Sequence, residues 1–169
     1  MFKNIDITNI KGILLDLDNT LYEHNTCHNV AIHACWEKLN STINKNLSEK
    51  ILNNYYQIGR SLIQDRLCPG GACRSRLLYF TAMLEAMSIP LAYSLALHLE
   101  STYTRVFLKT MVLYPEGLNF LNKCKVKNIP VCIVTNLTSQ FQIKKIIQLG
   151  IQGLISYMVT SEEAGIEKP

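Results

Sequence analysis

Apolar residues come in two rhythms along the chain. From Gly12 to Leu17 they run almost unbroken, which predicts a strand buried on both faces, as in a parallel sheet covered by helices. Two more such runs, Ile129 to Asn136 and Leu154 to Val159, predict a second and a third strand. Between residue 23 and about 112 the runs give way to helical spacing. Thr26 to Asn40 predicts one helix. Ser48 caps another through Leu67, with Ile51, Leu52, Tyr55, Ile58, Leu62 and Ile63 on its apolar positions. Cys68-Pro69-Gly70-Gly71 breaks the pattern, Ala72 to Met87 resumes it, and Pro90 opens a further helix to about Lys109. Beyond, Tyr114-Pro115-Glu116-Gly117 turns into a helix over Leu118–Lys127. Thr138 or Ser139 caps one over Phe141–Leu149 that stops at Gly150. The expectation is an α/β fold with a Rossmann-like parallel sheet and an inserted all-helical module. Its core would be residues 1–22 and 113–169, its insertion residues 23–112.

The first run ends in polar chemistry, Asp16-Leu17-Asp18-Asn19-Thr20. In open α/β sheets the C-terminal strand end is where ligands bind. Alternation starts Asp16 and Asp18 on the same side, and two carboxylates there need a cation or a partner. One can attack a substrate while the other gives and takes a proton, and together they suit Mg²⁺, which takes one or two carboxylates plus phosphate oxygens. The plainer alternative is an Asp-Asn-Thr turn bonding its own backbone.

Asp16-Leu17-Asp18-Asn19-Thr20-Leu21 resembles the first motif of the haloacid-dehalogenase-like hydrolase superfamily, in its aspartate-nucleophile phosphatase branch. Thr135-Asn136 at the end of the second strand resembles the second motif, although Leu137 follows where relatives often carry Gly. Ser161-Glu162-Glu163-Ala164-Gly165-Ile166-Glu167-Lys168-Pro169 resembles the third. The resemblance implies a phosphatase acting on a small phosphate monoester, a nucleotide or a sugar phosphate. Asp16 would be the nucleophile that becomes an aspartyl-phosphate, and Asp18 the proton donor and acceptor. Thr135 and Lys168 would hold the phosphoryl oxygens, with Asn136 beside them on the substrate. Mg²⁺ would be bound by Asp16 and the main-chain carbonyl of Asp18. The helical insertion would be a cap that closes the site, with Arg60, Arg66, Arg74 and Arg76 as candidates to meet an anionic substrate. Tyr55, Tyr56, Tyr79 and Phe80 read as core. Dehalogenation on the same fold is disfavoured by the second aspartate.

The family continues past its third motif with a further strand and a fourth, metal-binding motif, and the sequence stops at Pro169. The strand over Ile13–Leu17 is therefore expected at a sheet edge, open to self-association or completion by another polypeptide. The alternatives to an active enzyme are a truncated, catalytically impaired fragment and a non-catalytic binding subunit. Charge adds little. Seventeen basic against 13 acidic residues give +4, too mild to argue for nucleic acid or a membrane. Lys144-Lys145 reads as part of a solvated face. Met1 to Lys11 is no signal peptide, and no run is long enough to span a bilayer. Six cysteines without a CxxC pair predict reduced thiols in a cytoplasmic protein. His24, Cys27, His28, His33 and Cys35 lie close in sequence but read as helix residues rather than a zinc site.

Overall fold

The computed structural model describes residues 10–89 and 92–168. The expectations placed on Met1 to Asn9, on Pro90 as a helix opener and on Pro169 lie outside the described residues. Three parallel strands form the sheet among the described residues, in the order β1 (Ile13–Leu15), β2 (Val131–Thr135), β3 (Tyr157–Thr160). The register pairs Ile13 with Val131 and Leu15 with Ile133, then Thr135 with Thr160. Asp16, Thr135 and Thr160 thus arrive at the same end of the sheet.

The α/β class and the helical cap are as expected from the two hydrophobic rhythms; several bounds differ for local reasons. β1 is shorter than Gly12–Leu17 and is not buried on both faces. Leu14 is 78 % exposed, because β1 is an edge strand and no described element covers that side. α1 (His24–Ile43) starts earlier than Thr26, since the Glu23 carboxylate accepts hydrogen bonds from the Asn25 and Thr26 amides. α2 (Glu49–Leu67) is capped by Ser48 as expected. The single helix expected from Ala72 is broken in two. A short 3-10 turn over Gly71–Arg74 precedes α3 (Arg76–Ala86), where the Ser75 hydroxyl accepts from the Leu78 amide. α4 runs Tyr93–Thr110, and α5 (Pro115–Val126) begins at its proline, whose missing N–H is no loss in a first turn. α6 spans Ser139–Gln148. The third strand starts later than Leu154 because Gln152–Leu154 is a 3-10 turn. α7 (Ser161–Ala164) carries a capping box between Thr160 and Glu163 and ends at Gly165 with φ 72°.

The cap is rooted in a narrow neck. The Tyr114 amide donates to Leu21 O at 2.8 Å, and Tyr22 bridges Leu113, so the chain leaves and re-enters the core at adjacent points. α1 through α4 bury a continuous aromatic cluster of Trp36, Tyr56, Tyr79, Phe80, Tyr103 and Phe107. Phe141 of α6 joins it through Phe107, which ties cap to core. The cysteine expectation is corrected at one pair. The turn at Pro69-Gly70 brings Cys68 and Cys73 to a Cα–Cα distance of 5.1 Å, and they are disulfide-bonded, while Cys27, Cys35, Cys124 and Cys132 are free thiols.

Candidate active site

The turn after β1 is shaped by its own residues. Asn19 sits at φ 59°, a left-handed conformation asparagine tolerates, and its Oδ1 accepts the His24 amide at 2.9 Å. The Leu17 carbonyl accepts the Leu21 amide at 3.0 Å, closing the turn. This geometry sends the two aspartates to different partners. Asp16 Oδ1 lies 2.6 Å from Lys168 Nζ and accepts the Leu17 amide at 2.8 Å. Lys168 Nζ also donates to Val134 O at 3.3 Å, and the Lys168 amide donates to Asn136 Oδ1 at 2.8 Å. The loop after β3 is therefore pinned across the end of β2, placing a lysine against Asp16.

Asp18 is held from inside the protein. Its Oδ1 accepts Lys145 Nζ at 2.7 Å and the Tyr22 hydroxyl, and its Oδ2 accepts Gln142 Nε2 at 3.2 Å. Gln142 Nε2 also donates to Thr135 Oγ1 at 2.6 Å. Burial alone would raise the Asp18 pKa, but the attraction and hydrogen bond of Lys145, with the Tyr22 hydrogen bond, bring it below the ordinary carboxyl value. Tyr22 is pushed the other way, by burial and by the charge of Asp18. Asp18 is thus a carboxylate at neutral pH.

Lys145 corrects the reading of Lys144-Lys145 as a solvated face. Its side chain is 0 % exposed. The ammonium lies 4.7 Å from the centroid of the Phe141 ring, 5.4 Å from Phe107 and 5.8 Å from Tyr22. Neither Lys145 nor Gln142 was picked out from the sequence. A signal was there: Phe141, Lys145 and Leu149 recur every fourth residue on a helix already recognised, so Lys145 shares the stripe of Phe141.

The expected site residues therefore form two linked groups. Asp16, Lys168 and Asn136 make one; Asp18 and Thr135, joined through Gln142, make the other. No hydrogen bond joins Asp16 directly to Thr135 among the described residues. Thr135, Asn136 and Lys168 share a hollow of about 160 Å³. Leu137 adopts φ 155°, a glycine-favouring backbone, and its amide is fixed by the Ser161 hydroxyl at 3.1 Å.

A larger cavity of about 390 Å³ opens between this strand end and the cap. Asp18, Asn19 and Asn136 form its core lip. From the cap come Arg60, Arg74 and Arg76, with His24, His28, Tyr56 and Tyr79. Of the four cap arginines named from the sequence, Arg66 is excluded: it is exposed on α2 and does not line the cavity. The histidines and cysteines of α1 form no metal-ligating group among the described residues. The His24 and His28 rings stack 5.9 Å apart, His28 Nδ1 is hydrogen-bonded to the Tyr103 hydroxyl at 2.8 Å, and the Cys35 thiol is turned to Leu99 O.

A haloacid dehalogenase-like hydrolase family model matches residues 10–169. The chain belongs to that family. It is 31 % identical over 158 residues to a ribulose-1,5-bisphosphate 5-phosphatase of Halopiger xanaduensis, covering 94 % of this chain and 66 % of that protein. It is 28 % identical over 163 residues to a glyceraldehyde 3-phosphate phosphatase of Methanocaldococcus jannaschii, covering 95 % of this chain and 66 % of that one. The chain thus spans about two thirds of the length of these relatives. Family members of known structure share its fold. The magnesium-bound HAD-hydrolase YfnB of Bacillus subtilis aligns with a TM-score of 0.68 at 20 % identity, over 95 % of this chain and 69 % of its own. A 2-haloacid dehalogenase of Pseudomonas syringae aligns with a TM-score of 0.69 at 22 % identity, over 95 % of this chain and 67 % of its own. No described helix is long and apolar enough to cross a membrane.

Proposed function

We propose that the protein is a Mg²⁺-dependent phosphatase that hydrolyses a small phosphate monoester through an aspartyl-phosphate on Asp16, with residues 1–22 and 113–169 as its core and 23–112 as its cap. The observation that carries this reading is the Asp16–Lys168 ion pair at the strand ends, two residues from an Asp18 locked in its own ion pair. Both similar phosphatases act, by name, on sugar or triose phosphates, which favours a substrate of that size.

The first step forms a bond between an Asp16 carboxylate oxygen and phosphorus while the ester P–O bond breaks, and the leaving oxygen takes a proton from Asp18. Water then attacks the phosphorus of the acyl phosphate, giving its proton to Asp18 and freeing inorganic phosphate and Asp16. The proton given in the first half is thus recovered in the second. Asp18 rests ionised, which suits the second half; for the first, a phosphate dianion arriving beside it favours its protonated form. Lys168 and the Thr135 hydroxyl, which Gln142 orients, hold phosphoryl oxygens whose charge grows in the transition state.

The residues present fit a magnesium ion in part. Asp16 Oδ2 makes no hydrogen bond among the described residues, and the Asp16 side chain is 38 % exposed, so it can be a ligand. The Asp18 carboxylate cannot readily join it, because both its oxygens are occupied; its contribution would be the main-chain carbonyl. Bound there, the ion supplies charge screening at the phosphoryl group.

The test is turnover of a general aryl phosphate with Mg²⁺, followed by borohydride reduction. An acyl phosphate on Asp16 is converted to homoserine, which peptide mass spectrometry locates. Asp16→Asn is expected to lose at least about a thousandfold in kcat; retention of a tenth of the activity would overturn the assignment.

A second reading, a non-catalytic binding subunit, is favoured by the edge of β1, unpaired among the described residues, with Leu14 facing solvent. A chain that self-associates through this edge, without turnover, would be dispersed by Leu14→Glu in sedimentation velocity.

A further inference from the structure

The cavity between the strand ends and the cap contains a cation whose Nε has no hydrogen-bond partner among the described residues. Of its three arginines, one is ion-paired and one has a neutral side-chain partner. Arg74 is held by Glu167 through Nε–Oε1 at 2.5 Å and Nη2–Oε2 at 3.0 Å, and Arg60 Nε donates to Gln64 Oε1 at 3.2 Å. Arg76 differs. Its Nε is sealed from solvent and has no hydrogen-bond partner, its Nη1 reaches the Arg74 carbonyl at 3.5 Å, and its other polar neighbour is the neutral Tyr103 hydroxyl. No carboxylate lies within ion-pairing distance among the described residues. The guanidinium lies over two rings, 5.3 Å from the Tyr79 centroid and 5.4 Å from Tyr103. Aromatic rings offset part of its charge, but a neutral ring or hydroxyl is not a counter-ion. A half-buried cation with no carboxylate partner favours an anion in the space it lines, and a planar fork of donors matches a carboxylate or phosphate.

We infer that Arg76 forms a subsite for a second anionic group of the substrate, a carboxylate or a second phosphate, held across the cavity from Asp18. The inference rests on the phosphatase reading and narrows its substrate class. The reacting phosphoryl group would lie at Asp16 and Lys168, which do not line this cavity, so the cap cation is left for the other end of the molecule. A volume of about 390 Å³ suits a compact sugar or short-chain acid phosphate. The neighbouring histidines do not compete for the role. His28 is pushed down to about 4 by burial and by Arg76 itself, so it lines the cavity as a neutral ring at neutral pH. His24 is also lowered by burial, against the pull of Asp18.

Isothermal titration calorimetry of the full chain with Mg²⁺ tests this with two ligand pairs: phosphoglycolate against ethyl phosphate, and a hexose bisphosphate against the matching monophosphate. At least one doubly anionic member should bind about tenfold tighter or better than its partner, as a charge-assisted pair predicts. The pair that shows the preference identifies carboxylate or phosphate as the group recognised. Arg76→Met should reduce the ratio to about one, Arg76→Lys should keep part of it, and Arg66→Met, outside the cavity, should leave it unchanged. Ratios near one for both pairs in the wild-type protein would overturn the subsite. So would a ratio that survives in Arg76→Met, or one that Arg66→Met abolishes equally. Should Arg76→Met fail to fold, the wild-type ratios and Arg76→Lys decide. Preference without hydrolysis would refute the phosphatase reading alone, and hydrolysis without preference would refute the subsite alone.

Discussion

Replacing Lys145 by methionine keeps most of the side-chain volume and removes the charge that holds Asp18. At 2.7 Å the pair would attract by about 6 kcal/mol at an effective dielectric constant of 20, but the folded protein does not have to lose that much. Asp18 can take up a proton instead. From an ordinary carboxyl pKa near 3.9, protonation costs about 4 kcal/mol at pH 7 and about 1.5 kcal/mol at pH 5. These values cap the penalty, and the apolar contacts of methionine with Phe107 and Phe141 lower it further. Lys145→Met is therefore expected to destabilise by about 2–4 kcal/mol at pH 7 and by no more than about 1.5 kcal/mol at pH 5. In the wild-type protein the sign follows from the depressed Asp18 pKa: the pair's contribution is present above the unfolded pKa and is lost as pH falls through the folded one. Urea unfolding at the two pH values measures both quantities. Adding Asp18→Asn to Lys145→Met should restore most of the loss, since no charge is then left buried. A penalty independent of pH, or one that the double variant deepens, would refute the view that Asp18 ionisation is set by Lys145.

The same reasoning extends to the joint between cap and core. Glu167→Gln removes the charge that Arg74 grips; because Arg74 holds the Glu167 pKa below its ordinary value, the loss should be about 1 kcal/mol at neutral pH and should vanish in acid, as thermal unfolding across pH would show. Gly71→Ala places a methyl group 2.5 Å from Glu162 Cα, a backbone atom that cannot swing away. The cap segment must then lift from the loop before α7, with faster proteolysis around Cys68–Arg74 and a loss of roughly 1–3 kcal/mol; wild-type proteolysis rates would contradict this packing. His28 should show no imidazole titration by NMR above pH 5, since burial holds it neutral; a midpoint near 6.5 would mean that the cavity is wetter than its lining implies.

What the sequence disclosed was set by how local each feature is. A continuous apolar run and a helical period depend on neighbours within one element, so the strands and the helical insertion could be read directly, whereas the motif loops were marked only by resemblance to a family. Element ends depended on single side chains acting as caps. Glu23 extended α1 by two residues, and Ser75 split one expected helix into two pieces. Exposure of Leu14 depended on what lies beside β1, which no local pattern contains. Lys145 is the sharpest case. A lysine on a helix is normally solvated, and only the arrival of Asp18 from 127 residues away makes burial tolerable. The stripe of Phe141, Lys145 and Leu149 marked the position as inward-facing, but its partner could be supplied only by the fold.

That buried pair also explains why two aspartates two residues apart need not be equivalent. Asp16 meets a half-exposed lysine whose amide and ammonium are tied to β2 and the residue after it, and it keeps one oxygen without a hydrogen bond. Asp18 has both oxygens occupied by groups on α6 and on its own turn. A nucleophile must approach phosphorus along a free lone pair, which Asp16 retains. A proton carrier must instead be held in one place while its charge changes, and Lys145, Tyr22 and Gln142 hold Asp18 from three directions. On the proposed mechanism, the division of labour between the carboxylates would follow from which is left open and which is enclosed. Under that mechanism, exchanging their environments should cost activity as surely as replacing Asp16 itself.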